Sequence, residues 1–263
     1  GDPSILLGAP GPSLSGILLR DLGNEQQKSI FFNYIEQQLE KSFFAITESE
    51  KGSDATHLNS SLTPGHLYGE AGYFLTGHKR LIGNGALAKT GVVLAKKQEG
   101  LFGIYGVLIT PDLIEKQPNQ LKRQVLGVRF LKEAQLSQME FDRFFIPESH
   151  VLGMHLKPIQ RGLMGMLKTF NRMRPCVAAF AIGHAQAILD FAILETKNHQ
   201  DLTWRSLSHE LTHLRTLLYD SAQKIDLDAF KYGAYSSVAK FQATQFIERL
   251  TQTVLKKLGY SAL

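Results

Sequence analysis

Hydrophobic and polar positions along this chain follow three successive patterns. In residues 1–42, apolar side chains recur at spacings of three and four, which predicts amphipathic helices. Residues 43–153 consist of short apolar or alternating runs separated by turn residues, a pattern typical of antiparallel strands. The helical spacing returns in residues 154–263. The chain is therefore expected to have an α+β fold with a helical first region, a central antiparallel β-sandwich or barrel, and a C-terminal antiparallel helix bundle.

Individual elements can be placed within these three regions. The strongest helical patterns cover residues 26–39, 204–219 and 229–258. Strand patterns cover residues 43–46, 72–75, 91–95, 105–109 and 139–144. Two prolines and mixed charge predict that residues 111–124 form a loop.

Composition narrows the class of protein. Hydrophobic residues make up 43% and charged residues 20%, which is ordinary for a soluble globular protein. The net charge of +5 comes from scattered lysines and arginines, so no basic stripe indicates a nucleic-acid partner. A single cysteine, Cys176, excludes an internal disulfide and favours a cytoplasmic location. No stretch is expected to span a membrane, and the first residues do not resemble a signal peptide.

Residues 43–54, with the sequence FFAITESEKGSD, change abruptly from apolar to polar. The apolar run predicts a short interior strand that ends near Thr47. Gly52 would let the backbone approach a ligand closely, and Ser53 could donate a hydrogen bond to a phosphate or carbonyl oxygen. The alternative is an ordinary polar turn capped by Asp54.

Two further groups of reactive residues have simpler interpretations. His209, Glu210 and His213 match the H-E-x-x-H zinc-protease pattern, which puts both histidines on one face of a helix. No third ligand follows in the sequence, so we predict a chance match and no metal site. Cys176 is expected to be a small core residue, because no histidine stands in a recognisable partner motif.

Four segments, in order along the chain, resemble motifs of the acyl-CoA dehydrogenase family. Residues 47–54 resemble its T-E-x-x-x-G-S-D segment, and residues 75–85 its N-G-K-x-x-I-T-N-G strand pair. Residues 141–153 resemble F-x-x-V-x-V-P-x-x-x-x-L-G, and residues 174–186 resemble the R-P-x-V-A-A-x-x-x-G-x-A-Q helix. The resemblance implies that the helical first region is the end of a longer N-terminal domain, and that the chain is shorter than the family at both ends.

The resemblance also implies an FAD site. Its expected cofactor-binding residues are Ile46, Thr47, Gly52, Ser53, Leu81 and Gly83. Thr47 and its backbone would face the isoalloxazine ring, and the glycine and serine of the loop would lie along the pyrophosphate. The chain departs from the family at Leu81 and Gly83, where the family usually has a tryptophan and a threonine against the ring.

No catalytic base is recognisable. The family usually supplies a glutamate in a C-terminal E-G-T segment, which is not found in this sequence. Some members place the glutamate on the R-P-x-V-A-A helix, but residues 171–174 read Asn-Arg-Met-Arg. Arg172 and Arg174 could bind a carboxylated acyl group or a phosphate, although solvated or interface arginines are an equal alternative.

Two functions remain open at this point. The first is FAD-dependent α,β-dehydrogenation of an acyl thioester, carried either on coenzyme A or on an acyl-carrier protein. The second is a degenerate, non-catalytic member of the family that binds a thioester or a protein partner. In either case the apolar C-terminal bundle predicts a homodimer or tetramer.

Overall fold

The structure of the protein is a computed structural model. It describes residues 4–50, 57–98, 100, 103–157, 160–197 and 201–259. The chain separates into two compact units between Thr169 and Phe170. Each unit is described by itself. The three-region division at residues 42 and 153 remains a prediction.

The described residues contain both predicted kinds of element. The helices are α1 (Ser4–Gly8), α2 (Ser13–Leu22), α3 (Glu25–Gln38), α4 (Pro111–Lys116), α5 (Leu163–Thr196), α6 (Leu202–Leu227) and α7 (Gly233–Leu258). The strands are β1 (Ser42–Ala45), β2 (Ser61–Leu67), β3 (Glu70–Ile82), β4 (Thr90–Lys96), β5 (Ile104–Ile109), β6 (Leu121–Val125) and β7 (Ser137–Pro147). This arrangement confirms the α+β fold and the change of pattern along the chain.

Helix α3 begins with a capping box. The Asn24 side chain accepts a hydrogen bond from the Gln27 amide at 2.8 Å, and the Gln27 side chain accepts one from the Asn24 amide at 3.0 Å. Gln27 also donates to the carbonyl of Ser149, so the start of the helix is attached to the segment that follows β7. Phe31 and Ile35 are buried, as their spacing predicts.

The strands form one seven-stranded sheet in the order β1-β4-β2-β3-β7-β6, and β5, off this path, also pairs with β4. Most pairs are antiparallel, as expected, but β4 pairs in parallel with β1 and, at Ser61 and Lys96, with β2. Ser15 of α2 supports the pairing of β1 with β4 because its hydroxyl donates to the Phe43 carbonyl and accepts from the Val92 amide. Apolar side chains of the strands, including Phe43, Leu75 and Phe144, form the core of this unit.

The predicted loop at residues 111–124 is wrong. Pro111 occupies the first turn of α4, where its missing N–H costs nothing, and Asp112 follows in the same turn. Residues 121–125 pair with β7 as strand β6, which lies at the edge of the sheet. Charged residues such as Lys122 are tolerated there because one edge of the strand faces solvent. The sequence pattern also missed β2, which contains Pro64 and Gly65.

The second unit is a helical bundle, as predicted, and no strand occurs in the described part of residues 160–259. Small and aliphatic side chains of α5 pack with side chains of α6 and α7 in one core. This core includes Ala178, Ile182 and Ala185 of α5, Trp204 of α6 and Phe246 of α7. Cys176 is free and exposed, so the expectation of a core cysteine is wrong. It stands two residues before the buried Ala178, on the other side of the helix.

The expectation that no stretch could span a membrane also needs correction. The stretch Gly165–Thr196 of α5 is long and apolar enough to cross a membrane, judged by length and composition alone. The core helix of a soluble protein meets the same test. Alanines in the helix, which allow close packing in the bundle core, contribute to this apolar composition.

Candidate functional site

The segment that follows β1 lies against β3 in the first unit. The Thr47 carbonyl accepts a hydrogen bond from the Arg80 amide at 2.9 Å. The Ile46 carbonyl accepts one from the Lys79 ammonium at 3.2 Å. Both Ile46 and Thr47 are half-buried. The end of the apolar strand thus presents part of its surface beside the adjoining stretch of β3, as expected for the wall of a ligand site.

A β-bulge reshapes the end of β3. The pairing of β3 with β7 shifts register between Lys79 and Ile82. Leu81, within the bulge, has a left-handed backbone with φ of 58° and a side chain that is 46% exposed. Bulges often redirect side chains beside functional sites. Because Arg80 bonds directly to Thr47, the structure brings Thr47 and Leu81 close together, as the resemblance implies.

The turn after β3 has open space at Gly83 and, within the part of the chain that the structure describes, an unpaired buried acceptor at Asn84. A side chain at Gly83 would meet only the Ala134 carbonyl, at 3.7 Å. Asn84 is buried, and its side-chain amide donates to the Leu7 carbonyl. The Asn84 Oδ1 atom has no hydrogen-bond partner among the described residues. A buried acceptor is costly when unpaired, so a donor from a ligand or water would stabilise this turn.

A buried ion pair lies directly behind the junction. The Glu48 carboxylate and the Lys79 ammonium are 2.7 Å apart, and both side chains are almost fully buried. Glu48 also accepts hydrogen bonds from the Ser60 hydroxyl at 2.6 Å and from the amides of Asn59 and Ser60. Such a charge is tolerated in the interior only because it is paired and hydrogen-bonded.

Burial and pairing act in opposite directions on these two groups. Burial disfavours the Glu48 carboxylate, but the charge of Lys79 and the surrounding hydrogen bonds outweigh it and lower the pKa below its usual value. Burial lowers the pKa of Lys79 to about 8, although Glu48 opposes this shift. Glu48 is therefore ionised, and both of its oxygens accept hydrogen bonds from the protein, so its lowered pKa makes it a poor proton acceptor for a ligand.

The sequence analysis did not identify Lys79 as a buried residue. A signal was available, because Tyr73, Leu75 and Lys79 share one face of β3 by the two-residue period of a strand. Asn59 and Ser60 gave no comparable signal, because their role depends on contacts with Glu48, which is eleven and twelve residues away in the sequence.

The remaining predicted residues are distributed as follows. Gly52 and Ser53 lie outside the described residues. Arg172 and Arg174 lie on α5 in the second unit. Arg174 donates to the side chain of Asn171, which is buried and donates in turn to the Ala229 carbonyl at 2.8 Å. This network ties α5 to the α6–α7 connection, and the anion-binding role of the two arginines remains a prediction.

The H-E-x-x-H segment lies on the outer surface of the bundle. His209 and His213 are exposed, and Glu210 forms an ion pair with Arg249 of α7. Within the described residues, no group of three or more potential ligands could hold a metal ion. Glu210 is thus engaged in an ion pair between α6 and α7.

A cavity of about 820 Å³ lies elsewhere in the first unit. Its lining includes Tyr34, Asp112, Phe145 and His150. Burial lowers the pKa of His150, against the opposing influence of Glu70 and Asp112. Of the predicted cofactor-binding residues that the structure describes, none lines this cavity.

Comparisons with known proteins agree with the fold and the motifs. Residues 160–263 match the family model described as acyl-CoA dehydrogenase, C-terminal domain. A probable acyl-CoA dehydrogenase of Mycobacterium leprae is 26% identical over 93% of this chain. The chain spans 63% of the length of that relative.

Solved structures show the same architecture. Butyryl-CoA dehydrogenase from Megasphaera elsdenii superimposes with a TM-score of 0.83 at 20% identity, covering 99% of this chain and 69% of its own. The structure described as PigA with FAD and proline has a TM-score of 0.80 at 21% identity, covering 99% and 68%. The family model matches the helical bundle, and a relative named as a probable acyl-CoA dehydrogenase matches nearly the whole chain, so the comparisons support the resemblance of this chain to the acyl-CoA dehydrogenase family.

Proposed function

We propose that this chain binds FAD and takes part in the α,β-dehydrogenation of an acyl-CoA thioester, or in the reverse reduction. The observation that carries the proposal is the junction of Thr47 with Arg80 and Leu81. It brings together residues that the resemblance to the acyl-CoA dehydrogenase family assigns to the flavin site, and the comparisons support that resemblance. The cofactor is FAD, in keeping with the FAD complex among the similar structures.

The described residues fit a flavin. Ile46 and Thr47 offer a half-buried backbone edge, and Leu81 offers an exposed apolar side chain. The missing side chain at Gly83 leaves room for close approach, and Asn84 retains an unused buried acceptor. When bound, FAD supplies the redox chemistry by accepting or donating a hydride. The chain would bind the cofactor along the wall formed by Thr47, Leu81 and Gly83, and would exclude water from it.

The acyl group is assigned to coenzyme A rather than to an acyl-carrier protein. The M. leprae and M. elsdenii proteins are both named as acyl-CoA dehydrogenases, which supports this choice for the present chain. The net charge of +5 suits the phosphates of coenzyme A and would equally suit an acidic carrier. Arg172 and Arg174 are the proposed contacts to a carboxylate or phosphate of the substrate.

The second candidate function is thioester or partner binding without redox chemistry. One observation favours it: the first unit's buried glutamate, Glu48, is engaged by Lys79, Ser60 and Asn59. Position 171, near which some relatives place their base, is an asparagine bonded within the helical bundle. Neither group can accept a proton from a substrate as it stands.

FAD titration of the purified chain tests the proposal first. We expect saturable quenching of flavin fluorescence and a protein-bound flavin spectrum. A chain that binds no FAD would contradict both the cofactor assignment and the dehydrogenase function. Anaerobic addition of acyl-CoA or acyl-carrier thioesters then separates the two candidates, because bleaching of the bound flavin occurs only if hydride transfer takes place. Binding of a thioester without bleaching would favour the non-catalytic function.

We further propose a homodimer or tetramer in the cytoplasm. Exposed apolar side chains on the helical bundle support self-association, among them Tyr235, Val238 and Phe241 on α7. The cytoplasmic assignment rests on the single cysteine.

A further inference from the structure

The Glu48–Lys79 pair connects three segments of the chain through side chains. Glu48 follows β1, Lys79 belongs to β3, and Ser60 directly precedes β2. The Glu48 carboxylate accepts hydrogen bonds from four donors, at 2.6 to 3.0 Å. Oε2 accepts from the Asn59 amide, and Oε1 accepts from Ser60 and from Lys79. The Glu48 side chain therefore joins the two ends that flank residues 49–58 and holds both against β3.

Lys79 extends the network to the backbone of the proposed flavin wall. Its ammonium donates to the Ile46 carbonyl as well as to Glu48. The next residue, Arg80, donates its amide to the Thr47 carbonyl. Two successive carbonyls are thus held by two successive residues of β3. This places Thr47 beside the bulge that turns Leu81 outward.

The neighbouring backbone is shaped to admit this network. A side chain on Gly77 would collide with the Ser60 hydroxyl, Cβ and Cα. Gly77 also has a φ of 157°, so a glycine there allows Ser60 to reach Glu48. Ser60 is fixed from the other side as well, because its carbonyl accepts from the Lys96 amide at 2.9 Å.

We infer that Glu48 and Lys79 are positioning residues of the flavin site, which hold Thr47 against β3 and thereby set the wall that contacts the ring. This inference rests on the proposed function for its ligand, but the contacts themselves belong to the chain alone. The pair acts through the backbone of residues 46–48 and touches neither flavin nor substrate. A buried pair of this kind is weak as a source of stability, since its desolvation offsets much of its attraction. The pair instead fixes the position of the Ile46 and Thr47 backbone relative to β3.

The test compares Glu48→Gln, Lys79→Met and the double variant with the parent chain. The surface pair Lys224–Asp220, at 2.6 Å on α6, gives matched controls as Asp220→Asn and Lys224→Met. Each variant is measured for FAD affinity, for the visible circular dichroism of bound flavin, for urea stability, and for amide hydrogen exchange at Arg80 without cofactor.

We expect each single variant to weaken FAD binding about tenfold or more, the effect of losing roughly one well-placed hydrogen bond. It should also alter the flavin dichroism and accelerate exchange at Arg80, while both controls leave all readings unchanged. The double variant should recover most of the urea stability, because no unpaired charge remains buried. Its FAD affinity and dichroism should stay altered.

Recovery of FAD affinity together with stability in the double variant would overturn the inference, since the pair would then be purely structural. So would folded single variants with parental affinity and dichroism. If the parent chain binds no FAD, the proposed function fails, but the positioning of Thr47 by the Glu48–Lys79 pair is still tested by hydrogen exchange at the Arg80 amide. Unchanged protection at Arg80 in Glu48→Gln would then refute the positioning of Thr47, and faster exchange would support it.

Discussion

At the scale of single residues, Lys79 is the group whose environment departs most from solution. Its pKa is lowered from 10.5 to about 8, chiefly by burial. Between these two values the unfolded chain binds more protons at this site than the folded chain. Stability therefore gains a positive slope with pH in this window, and the contribution increases as pH rises from about 8 toward 10.5.

The expected result is a difference between the parent chain and Lys79→Met. Urea midpoints measured across this pH window should rise for the parent relative to the variant, because methionine cannot titrate. Subtracting the two curves removes the titrating groups that do not interact with position 79. A parent curve that falls relative to the variant would mean that the charged form of Lys79 is favoured in the fold and that the sign is wrong.

Leu81 offers a second prediction at this scale. By the resemblance, it stands where the family usually has a ring-stacking tryptophan; Leu81 is exposed, and its backbone is left-handed. We expect Leu81→Trp to tighten FAD binding by roughly 0.5–1.5 kcal/mol, the usual gain of an aromatic contact. Flavin fluorescence titration measures this directly.

Leu39→Trp is the matched control, because Leu39 is also exposed and left-handed, with φ of 48°, but caps α3. It should leave the FAD dissociation constant unchanged. Equal effects of the two tryptophans would show nonspecific stacking, and no effect of Leu81→Trp would remove position 81 from the flavin site.

At the scale of elements, α3 depends on its first turn. The Asn24 side chain satisfies the Gln27 amide, one of the helix N–H groups that lack an intrahelical partner. Asn24→Ala should lower the free energy of unfolding by about 1 kcal/mol, measured by urea denaturation. Asn33, exposed in the same helix, provides the control. Asn33→Ala should be neutral or slightly stabilising, because alanine is the better helix former. Equal losses in both variants would contradict the capping argument.

The elements also show how far local pattern predicts this fold. Long helices such as α6 and α7 and strongly apolar strands such as β4 and β5 were found, because their periodicity reflects the face they bury. Strand β6 escaped because it is short, charged and stabilised by pairing with β7 alone. Strand β2 escaped because its proline and glycine are strand breakers by propensity, and sheet context overrode that preference.

The candidate site was predictable in part for a related reason. Motif order predicted Ile46, Thr47, Leu81 and Gly83 as site residues, and in the structure Thr47 accepts a hydrogen bond from Arg80, the residue before Leu81. Strict alternation along β3 would have buried Leu81 with Lys79 on one face. The register shift buries Ile82 instead and exposes Leu81. A bulge depends on the partner strand, so no pattern within β3 could reveal it.

At the scale of the whole molecule, self-association is the next prediction. Phe241 of α7 is 64% exposed and lines a groove with Leu214, Leu217 and Arg249. If this face is covered by a second copy, Phe241→Glu would bury a charge in the interface and should shift the chain toward the monomer in light scattering. Phe130→Glu, at a phenylalanine 62% exposed in the other unit, is the control and should leave the mass unchanged. A parent chain that is already monomeric at micromolar concentration would refute the proposed oligomer.

The last prediction concerns activity. We expect residues 1–263, supplied with FAD, to turn over acyl-CoA thioesters very slowly. The α-proton of a thioester is only weakly acidic, so its removal needs a base held within hydrogen-bond reach. Glu48, the carboxylate behind the flavin wall, is bonded to Lys79 and three other donors, and its pKa is lowered, which makes it a poorer base. In the neighbourhood where some members of the family place their base, residues 171–174 include no carboxylate.

Loss of a positioned base costs about a hundred- to ten-thousand-fold in rate. The measurement is turnover with an artificial electron acceptor, over a panel of acyl-CoA and acyl-carrier thioesters, with a dehydrogenase that has its glutamate as the reference. Flavin saturation is checked in the same samples, so that weak FAD binding is not mistaken for slow chemistry. Turnover within tenfold of the reference would show that another group supplies the base. In that case, the pH dependence of the rate would give the pKa of that group and direct the search for it.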